Sequence, residues 1–516
     1  MMATPSGSAG GRGLAAEVRR RVAFLLATSA GAAMTVLGLI GEWRSPLNGD
    51  AAWILYCARR MLDGERMYVN LVEINPPLVF WLNLPVIWFA RLTSLPEIPT
   101  YRGFVIALAL LSLAACAGLL RRAWGAEGPA ALAFLFAVTT VLFAMPAGYF
   151  GQREHLVLAL ITPYLLAAAA ELRGVAIGRG SGVALGLAAA LALSLKPHFL
   201  AVWVGVVLYG WYRNEGRRRR IGAMNWTIAL TLTLYALAVV VFEPSYLQIV
   251  ATLGTAYQRF AARSVVSIMT RDTLPLSVLA ALLAYAGFRR AVGDRELADV
   301  LALASGGFLL AVVLQGKGFG YHYLPAIGTG IFLLLVMTVS RADRAGPLLR
   351  VATVTCAALI LLGALWPFLQ ASARRARGEL SPIDVSMLRA AAEVRALAAG
   401  RPIAVLSPRL ADAFPLVLYS GTMWALRVPH LWCIQARPGQ VRSAAERWCV
   451  HAVGEDLARR QPPVVLLRRW SAAGPADLSF DFSRALREDK GFEHQFRSYG
   501  LTGTVSDFLV YRRIRQ

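Results

Sequence analysis

Ten polar side chains, drawn from five short stretches of the chain, have the types and positions to do chemistry together. Each stretch lies near the end of a long apolar segment, so the side chains can meet at one surface of a membrane. Lysine is rare here, with three among 53 basic residues, yet two of the three belong to this set. Because lysine is a compact, flexible cation and arginine a rigid, planar one, a need for ammonium groups is indicated. The ten residues are Asp50, Glu73, Arg153, Glu154, His155, Lys196, His198, Lys317, Tyr321 and His322.

Such a set suits the transfer of a sugar from a phosphate-linked lipid. The phosphate of a membrane lipid lies at the headgroup level, where lysine and arginine can neutralise it. A carboxylate can deprotonate an acceptor hydroxyl while that hydroxyl attacks the anomeric carbon. No glycine-rich nucleotide-binding loop is evident in the sequence, and a donor taken from the membrane requires none.

A purely structural interpretation exists for each residue. A lysine or histidine at the end of a membrane helix often anchors that helix at the interface. Arg153 and Glu154 can form an ion pair at a turn, and the proline after Lys196 can simply end a helix. Asp50 can cap the amphipathic segment that follows it. The presence of both signs of charge on one face favours a common site for the set.

Composition assigns the chain to the polytopic membrane proteins. Of its 516 residues, 57% are hydrophobic and 16% are charged, whereas soluble proteins carry roughly 25% charged residues. The net charge of +23 is explained by basic loops on the cytoplasmic side of a membrane. No nucleic-acid partner is therefore expected.

Apolar segments predict about eleven transmembrane helices. The first follows a basic amino-terminal tail of residues 1–21 and is interpreted as a retained helix, because no signal-peptidase site follows it. The transmembrane domain is expected to span residues 22–368. Its predicted helices cover residues 22–40, 104–120, 130–149, 156–172, 182–195, 200–212, 226–242, 274–288, 300–314, 324–340 and 351–368.

Arginine clusters alternate along the chain and predict its orientation. Arginines follow the second, fourth, sixth, eighth and tenth of these helices. The short connections at the other ends of the helices carry one basic residue each: Arg153, Lys196 and Lys317. This asymmetry places the amino terminus in the cytoplasm and the loops 41–100 and 243–273 outside. The arginines that define the cytoplasmic face are Arg12, Arg19–Arg21, Arg121, Arg122, Arg173, Arg179, Arg213, Arg217–Arg220, Arg289, Arg290, Arg295, Arg341, Arg344 and Arg350.

The tail, residues 369–516, is long enough for one domain and is expected outside the membrane. Apolar runs at residues 402–407, 463–467 and 507–512 predict strands, and residues 384–399 and 482–489 predict helices. We therefore predict a small extracytoplasmic α/β domain. Cys433 and Cys449 lie in it and could pair in an oxidising compartment, but the sequence leaves their separation open.

The order of elements in the first outer loop resembles the GT-C superfamily of polyprenyl-phosphate-sugar-dependent glycosyltransferases. The similarity rests on an Asp soon after helix one, in NGDAAWILYCARRMLDGERMY, followed by E-x-N-P-P-L. It is greatest to the branch with protein O-mannosyltransferases and the lipid A aminoarabinose transferase. The resemblance implies a bacterial inner-membrane enzyme with a periplasmic active site. It also implies a polyprenyl-phosphate-sugar donor and a hexosyl or pentosyl group transferred to a glycan, lipid or protein.

The resemblance also implies roles for individual residues. Asp50 matches the general base of the first loop, and Glu154 lies near where relatives place a second outer acid. Glu73, Pro76 and Pro77 match a motif in which many relatives have a phosphate-binding lysine at the position of Asn75. Arg153, Lys196 or Lys317 must then supply that contact. Some members bind a divalent cation, for which Asp50, Glu154 and His155 are the candidate ligands here.

Two other functional classes are weaker alternatives. A transporter or flippase for lipid-linked glycans should carry charges near the middle of its helices, often in paired repeats. The interiors of these apolar segments are almost free of charge, and the sequence contains no evident repeat. A membrane-anchored binding protein with an active tail would not require the acid and base residues next to the membrane.

Overall fold

A computed structural model describes residues 9–125, 129–213, 222–270, 272–340, 346–435, 439–469 and 481–514. Several arginines used to predict the orientation lie outside this description. They are Arg217–Arg220, Arg341 and Arg344, together with the side chains of Arg12 and Arg19–Arg21.

Sixteen α-helices make up most of the membrane part of the described chain. All eleven predicted membrane helices are among them, and the remaining five lie in the two long loops. The helices are α1 (Ala9–Trp43), α2 (Gly49–Leu62), α3 (Leu78–Trp81), α4 (Leu84–Thr93), α5 (Glu97–Trp124), α6 (Pro129–Thr139), α7 (Arg153–Leu172), α8 (Arg179–Ser194), α9 (Leu200–Tyr212), α10 (Ala223–Phe242), α11 (Pro244–Arg259), α12 (Val265–Thr270), α13 (Thr273–Phe288), α14 (Arg295–Gln315), α15 (Leu324–Val339) and α16 (Pro347–Ala376).

Within the described residues, eight helices are long and apolar enough to cross a membrane: α1, α5, α7, α10, α13, α14, α15 and α16. The other three predicted spans, α6, α8 and α9, are shorter. The helix of α6 continues through a π-helical turn at Thr140–Ala144. Helix α1 begins at Ala9, inside the predicted tail. Its first turns contain three glycines, but from Leu14 to Arg21 the segment has neither glycine nor proline and is rich in good helix formers. The predicted boundary at residue 22 marks the start of the apolar run.

Helices α7 and α15 form the centre of the bundle. In each, 83% of the most apolar stretch is buried inside the protein, compared with 11% in α10. A run of small residues, Ala167–Ala170, lets neighbouring backbones approach α7 closely. Helices α5, α8, α14 and α15 all pack against it. The amino-terminal end of α7, with Arg153–His155, is thereby surrounded by other elements.

The two long loops fold into short helices on the same side of the bundle. The first loop forms two short helices after Pro77, α3 and α4, because Pro85 begins a new helix. The Asn83 side chain at this break donates to the Val79 carbonyl at 2.7 Å. The second loop folds into α11 and α12. The loops therefore form a layer of helices over the ends of the spans.

The tail folds as an α/β domain with a five-stranded mixed sheet. Strands at residues 402–407, 463–467 and 507–512 are confirmed as β1, β3 and β5. The strands β1 and β3 are parallel, with Ile403 opposite Val464, and β5 runs antiparallel to β3. The order across the sheet is β2-β1-β3-β5-β4. The elements are α17 (Pro382–Ala398), β1 (Pro402–Leu406), α18 (Leu410–Ala413), α19 (Leu416–Ser420), β2 (Met423–Trp424), α20 (Ala444–Arg460), β3 (Val464–Arg468), α21 (Phe482–Arg487), α22 (Lys490–Phe496), β4 (Tyr499–Val505) and β5 (Phe508–Arg513).

The tail domain packs directly on the first loop. The Trp424 amide donates to the Tyr56 hydroxyl at 2.8 Å, and the ring of Phe414 lies 4.9 Å from that of Trp53. These contacts bury the apolar face of α2. Cys433 and Cys449 form a disulfide, with Cα atoms 6.3 Å apart.

Candidate active site

Asp50 lies in the first turn of α2 and does not cap it. The preceding Asn48 is the cap, because its side-chain oxygen accepts a hydrogen bond from the Ala51 amide at 2.9 Å. The capping role considered for Asp50 from the sequence is therefore wrong. The buried face of α2 packs against α4 and α18, which fixes the position of its first turn.

Two neighbouring residues face the Asp50 carboxylate. Arg153 Nη2 lies 3.5 Å from Oδ1, and the Gln152 side-chain amide donates to Oδ2 at 3.3 Å. The Asp50 side chain nevertheless keeps 25% of its surface exposed. Burial raises the pKa of Asp50, although the charge of Arg153 opposes the rise. A carboxylate held in this way is a stronger proton acceptor than an ordinary surface aspartate.

Glu73 organises the turn that precedes Pro76 and Pro77. One of its oxygens accepts from the Ile74 amide at 2.7 Å and from the Asn75 side chain at 2.9 Å, and the other accepts from Trp53 at 2.8 Å. These donors occupy both oxygens. In the described structure Glu73 therefore orients Asn75. Its role in substrate binding stays a prediction.

Gly151 allows the chain to turn sharply before α7. Its φ is +75°, and an added Cβ would lie 2.5 Å from the Tyr101 hydroxyl. The Gly151 amide donates to His155 Nδ1 at 3.0 Å, while His155 Nε2 lies 2.8 Å from the Leu142 carbonyl. Both ring nitrogens are thus used inside the protein. In the described structure His155 stabilises the turn. Its role in substrate binding stays a prediction.

Arg153 and Glu154 connect the first loop to the turn after α8. Arg153 donates to the Asn75 side-chain oxygen and also faces Asp50. Glu154 is completely buried and forms an ion pair with Lys196, leaving its Oε2 without a hydrogen-bond partner in the described structure. A negative side chain in the first turn of α7 is also stabilised by the helix dipole.

Each of the two lysines uses two of its three N–H groups within the described structure. Lys196 donates to Glu154 Oε1 and, at 2.8 Å, to Gln315 Oε1. Lys317 donates to the carbonyls of Tyr257 and Phe260, at 2.7 and 2.5 Å. An ammonium group has three donors, so each lysine retains one for a ligand. Burial, reinforced by the nearby charge of Lys196, lowers the pKa of Lys317 to about 8.

A cavity of about 480 Å³ lies between the second loop, chiefly helix α11, and the two turns that contain Lys196 and Lys317. Four of the ten predicted residues line it: Lys196, His198, Lys317 and His322. The Nδ1 atoms of both histidines are buried and have no hydrogen-bond partner among the described residues. Tyr321 packs next to this wall, with its ring 4.5 Å from that of His322 and 5.6 Å from Lys196 Nζ. Arg153 and Glu73 contact Asn75 of the cavity wall, and Glu154 contacts Lys196. Asp50 lies next to Arg153, and His155 does not line the cavity.

No family model matches the chain, and no curated protein matches it in sequence. Solved structures do match. The crystal structure of ArnT from Cupriavidus metallidurans bound to undecaprenyl phosphate aligns with 94% of this chain and 97% of its own, with a TM-score of 0.53 and 14% identity. The apo structure of the same protein aligns with 96% of this chain and 98% of its own, with a TM-score of 0.54 and 15% identity. The chain has the GT-C fold.

The GT-C fold predicted from the first loop is therefore confirmed, including its membrane helices and small C-terminal sheet. The arabinofuranosyltransferase AftD from Mycobacteria also aligns, over 95% of this chain and 40% of its own, with a TM-score of 0.47 and 15% identity.

The three candidate cation ligands do not form a metal site within this GT-C fold. Glu154 is paired with Lys196, and both nitrogens of His155 bind backbone groups. Among the described residues, no group of three or more His, Cys, Asp or Glu side chains is placed to hold a metal ion.

Several polar residues in and beside the cavity were not predicted from the sequence. Gln315 contacts Lys196, Gln152 contacts Asp50, and Tyr257 and Arg263 line the cavity wall. Gln315 is a lone amide at the end of α14, immediately before Gly316. Such a residue gives a weak sequence signal, and the position of Tyr257 depends on how α11 packs.

Proposed function

We propose that this protein is a glycosyltransferase that moves a sugar from a polyprenyl-phosphate donor to a hydroxyl acceptor on the outer face of the inner membrane. The observation that carries the proposal is the cavity at the ends of the spans, with two buried lysines that each retain one N–H. The acceptor is a glycan, lipid or protein of the cell envelope.

Lys196 and Lys317 bind the donor phosphate in this proposal. Two cations at the headgroup level can each donate a charge-assisted hydrogen bond to its oxygens. Both stay on the phosphate when the bond to the sugar breaks, and they then stabilise the charge on the leaving polyprenyl phosphate. ArnT from Cupriavidus metallidurans, which shares the fold, was crystallised bound to undecaprenyl phosphate, and this supports a donor of the same class here.

Asp50 is the general base in this proposal. Its carboxylate removes the proton of the acceptor hydroxyl while the hydroxyl oxygen attacks the anomeric carbon and the carbon–oxygen bond to phosphate breaks. Arg153 and Gln152 hold the carboxylate in one orientation. Glu154 is the alternative base, but its ion pair with Lys196 and its complete burial make proton transfer from an acceptor more difficult.

Two features support an outer location for the loops and the tail. The arginine pattern predicts that the opposite ends of the helices lie in the cytoplasm. The Cys433–Cys449 disulfide is typical of an oxidising compartment such as the periplasm.

A reporter active only in the periplasm tests this orientation. Helix α16 continues to Ala376, so the fusion belongs after Glu379, in the connection to α17. We expect high reporter activity there and low activity for a matched fusion after Arg213, which follows α9. The reverse pattern would place the cavity at the cytoplasmic surface and contradict the proposal.

Mass spectrometry of lipid-linked sugars tests the reaction itself. Cells without the gene should accumulate a polyprenyl-phosphate sugar and lose the same sugar from an envelope glycan, lipid or protein. Complementation with the wild-type gene should reverse both changes, whereas complementation with an Asp50→Asn gene should not. Identical lipid-linked sugars and identical envelope components in all strains would refute the proposed function.

A further inference from the structure

We propose that the C-terminal domain completes the donor site, with Trp432 and Gln435 as positioning residues that hold the end of α11 and thereby present Lys317 to the donor phosphate. This inference rests on the proposed function and assigns a role to the domain that follows the membrane part. It concerns residues that touch neither the lipid nor the reacting atoms.

The tail contacts the end of helix α11. The Gln435 side-chain amide donates to the Ala256 carbonyl at 2.8 Å. The Trp432 ring lies 5.2 Å from the Tyr257 ring and 6.3 Å from the Phe260 ring. The Trp432–Tyr257 pair is edge-to-face and the Trp432–Phe260 pair is tilted. Aromatic pairs at these distances attract each other and restrict the orientation of the rings. The tail thus covers the last turn of α11.

The segment of residues 432–435 is anchored within the tail domain. Cys433, between Trp432 and Gln435, is bonded to Cys449 of α20. The backbone N–H of Gln435 donates to Glu446 Oε1 at 2.7 Å, and Glu446 also belongs to the capping box that begins α20. The segment is therefore attached to a long helix at two points, and it can resist movement of α11.

The end of helix α11 holds Lys317 at the cavity. The carbonyls of Tyr257 and Phe260 are the two acceptors that hold the Lys317 ammonium group. The ammonium also lies 4.2 Å from the centre of the Tyr257 ring. If the end of α11 moves away, Lys317 loses both carbonyls and the ring together. Its remaining N–H then no longer has a fixed direction.

The pH dependence of donor binding distinguishes a positioning role of Trp432 from a loss of overall stability. Donor binding requires the charged ammonium, so it should weaken as the pH rises through the pKa of Lys317, which is about 8. Loss of Trp432 should admit water, relieve the burial that lowers this pKa, and move the midpoint upward. The other titratable or charged groups that line the same cavity are Lys196, His198, Tyr246, Tyr257, Arg263 and His322.

The test measures binding of undecaprenyl phosphate to the purified full-length protein in detergent, by calorimetry, between pH 6 and about 10. We expect Trp432→Ala to weaken binding about ten-fold at pH 7 and to shift the midpoint upward. Trp432→Phe keeps an aromatic ring and should restore most of the affinity. Gln435→Ala should give a smaller effect in the same direction.

Phe496→Ala is the matched control, because Phe496 lies in the core of the same domain and stacks on Phe492 at 5.3 Å. It should lower the thermal stability of the protein while leaving affinity and midpoint unchanged. Equal effects of Phe496→Ala and Trp432→Ala, or an unchanged midpoint in Trp432→Ala, would refute the positioning role. A wild-type protein that does not bind undecaprenyl phosphate would instead refute the proposed function.

Discussion

Replacing Asp50 with asparagine should reduce the rate of sugar transfer by about 10²–10⁴-fold, because an amide cannot accept the proton of the acceptor hydroxyl. The change should leave the fold intact. Asn48 caps α2, and an asparagine at position 50 retains the size and polarity of the aspartate that faces Gln152. The measurement is transfer by the purified variant at saturating donor, with its thermal stability determined in parallel.

The pH dependence gives a second readout for the same residue. Burial raises the pKa of Asp50, and the carboxylate must be ionised to act as a base. The wild-type rate should therefore fall as the pH decreases through this raised pKa, and the residual rate of Asp50→Asn should lack that fall. Asp63→Asn, at the other end of α2, is the control and should behave as the wild type. Near-normal turnover of Asp50→Asn would assign the base to Glu154.

Replacing Lys196 with methionine should destabilise the protein by about 3–5 kcal/mol, because it leaves the fully buried Glu154 carboxylate without its cationic partner. The same variant should lose affinity for the donor phosphate. From the sequence alone, we would expect such a change to affect binding far more than folding. The ion pair alters that expectation, since Lys196 has both roles. Chemical denaturation and donor binding are the two measurements.

The double variant Lys196→Met, Glu154→Gln separates these roles. The second substitution removes the uncompensated charge, so most of the lost stability should return while donor binding stays weak. Recovery of binding together with stability would reduce Lys196 to a structural residue. A single variant as stable as the wild type would show that the ion pair is not formed in the protein.

Elements with a strong local pattern can be predicted from the sequence, whereas elements that depend on packing cannot. The membrane helices and strands β1 and β3 consist of continuous apolar runs, which are easily recognised. Strand β2 has only two residues, and β4 contains Gly500 and Gly503, which weaken a strand pattern. Helix α20 has a mixed, largely polar sequence, and the capping box of Ser443 and Glu446 is the one local signal of its start.

The site follows the same rule. The sequence indicates which polar residues lie near the ends of the helices, but it cannot show which of them pair. Glu154 and Lys196 are 42 positions apart, and only the packing of α7 against α8 brings them together. The role of His155 depends on the Leu142 carbonyl, which lies in the π-helical turn after α6. Nothing in the residues around His155 indicates that partner.

The contacts between the first loop and the tail also have a consequence for biosynthesis. Leu47 donates to the Tyr419 hydroxyl across 372 positions, and Trp424 reaches Tyr56 across 368. At a synthesis rate of about 5–20 residues per second, the loop emerges some 20–70 seconds before its partners do. During that interval the nascent chain already resides in the lipid, but the apolar face of α2 has no cover. Catalytic competence should therefore arise only near the end of translation, when the last third of the polypeptide reaches the same side as the loop.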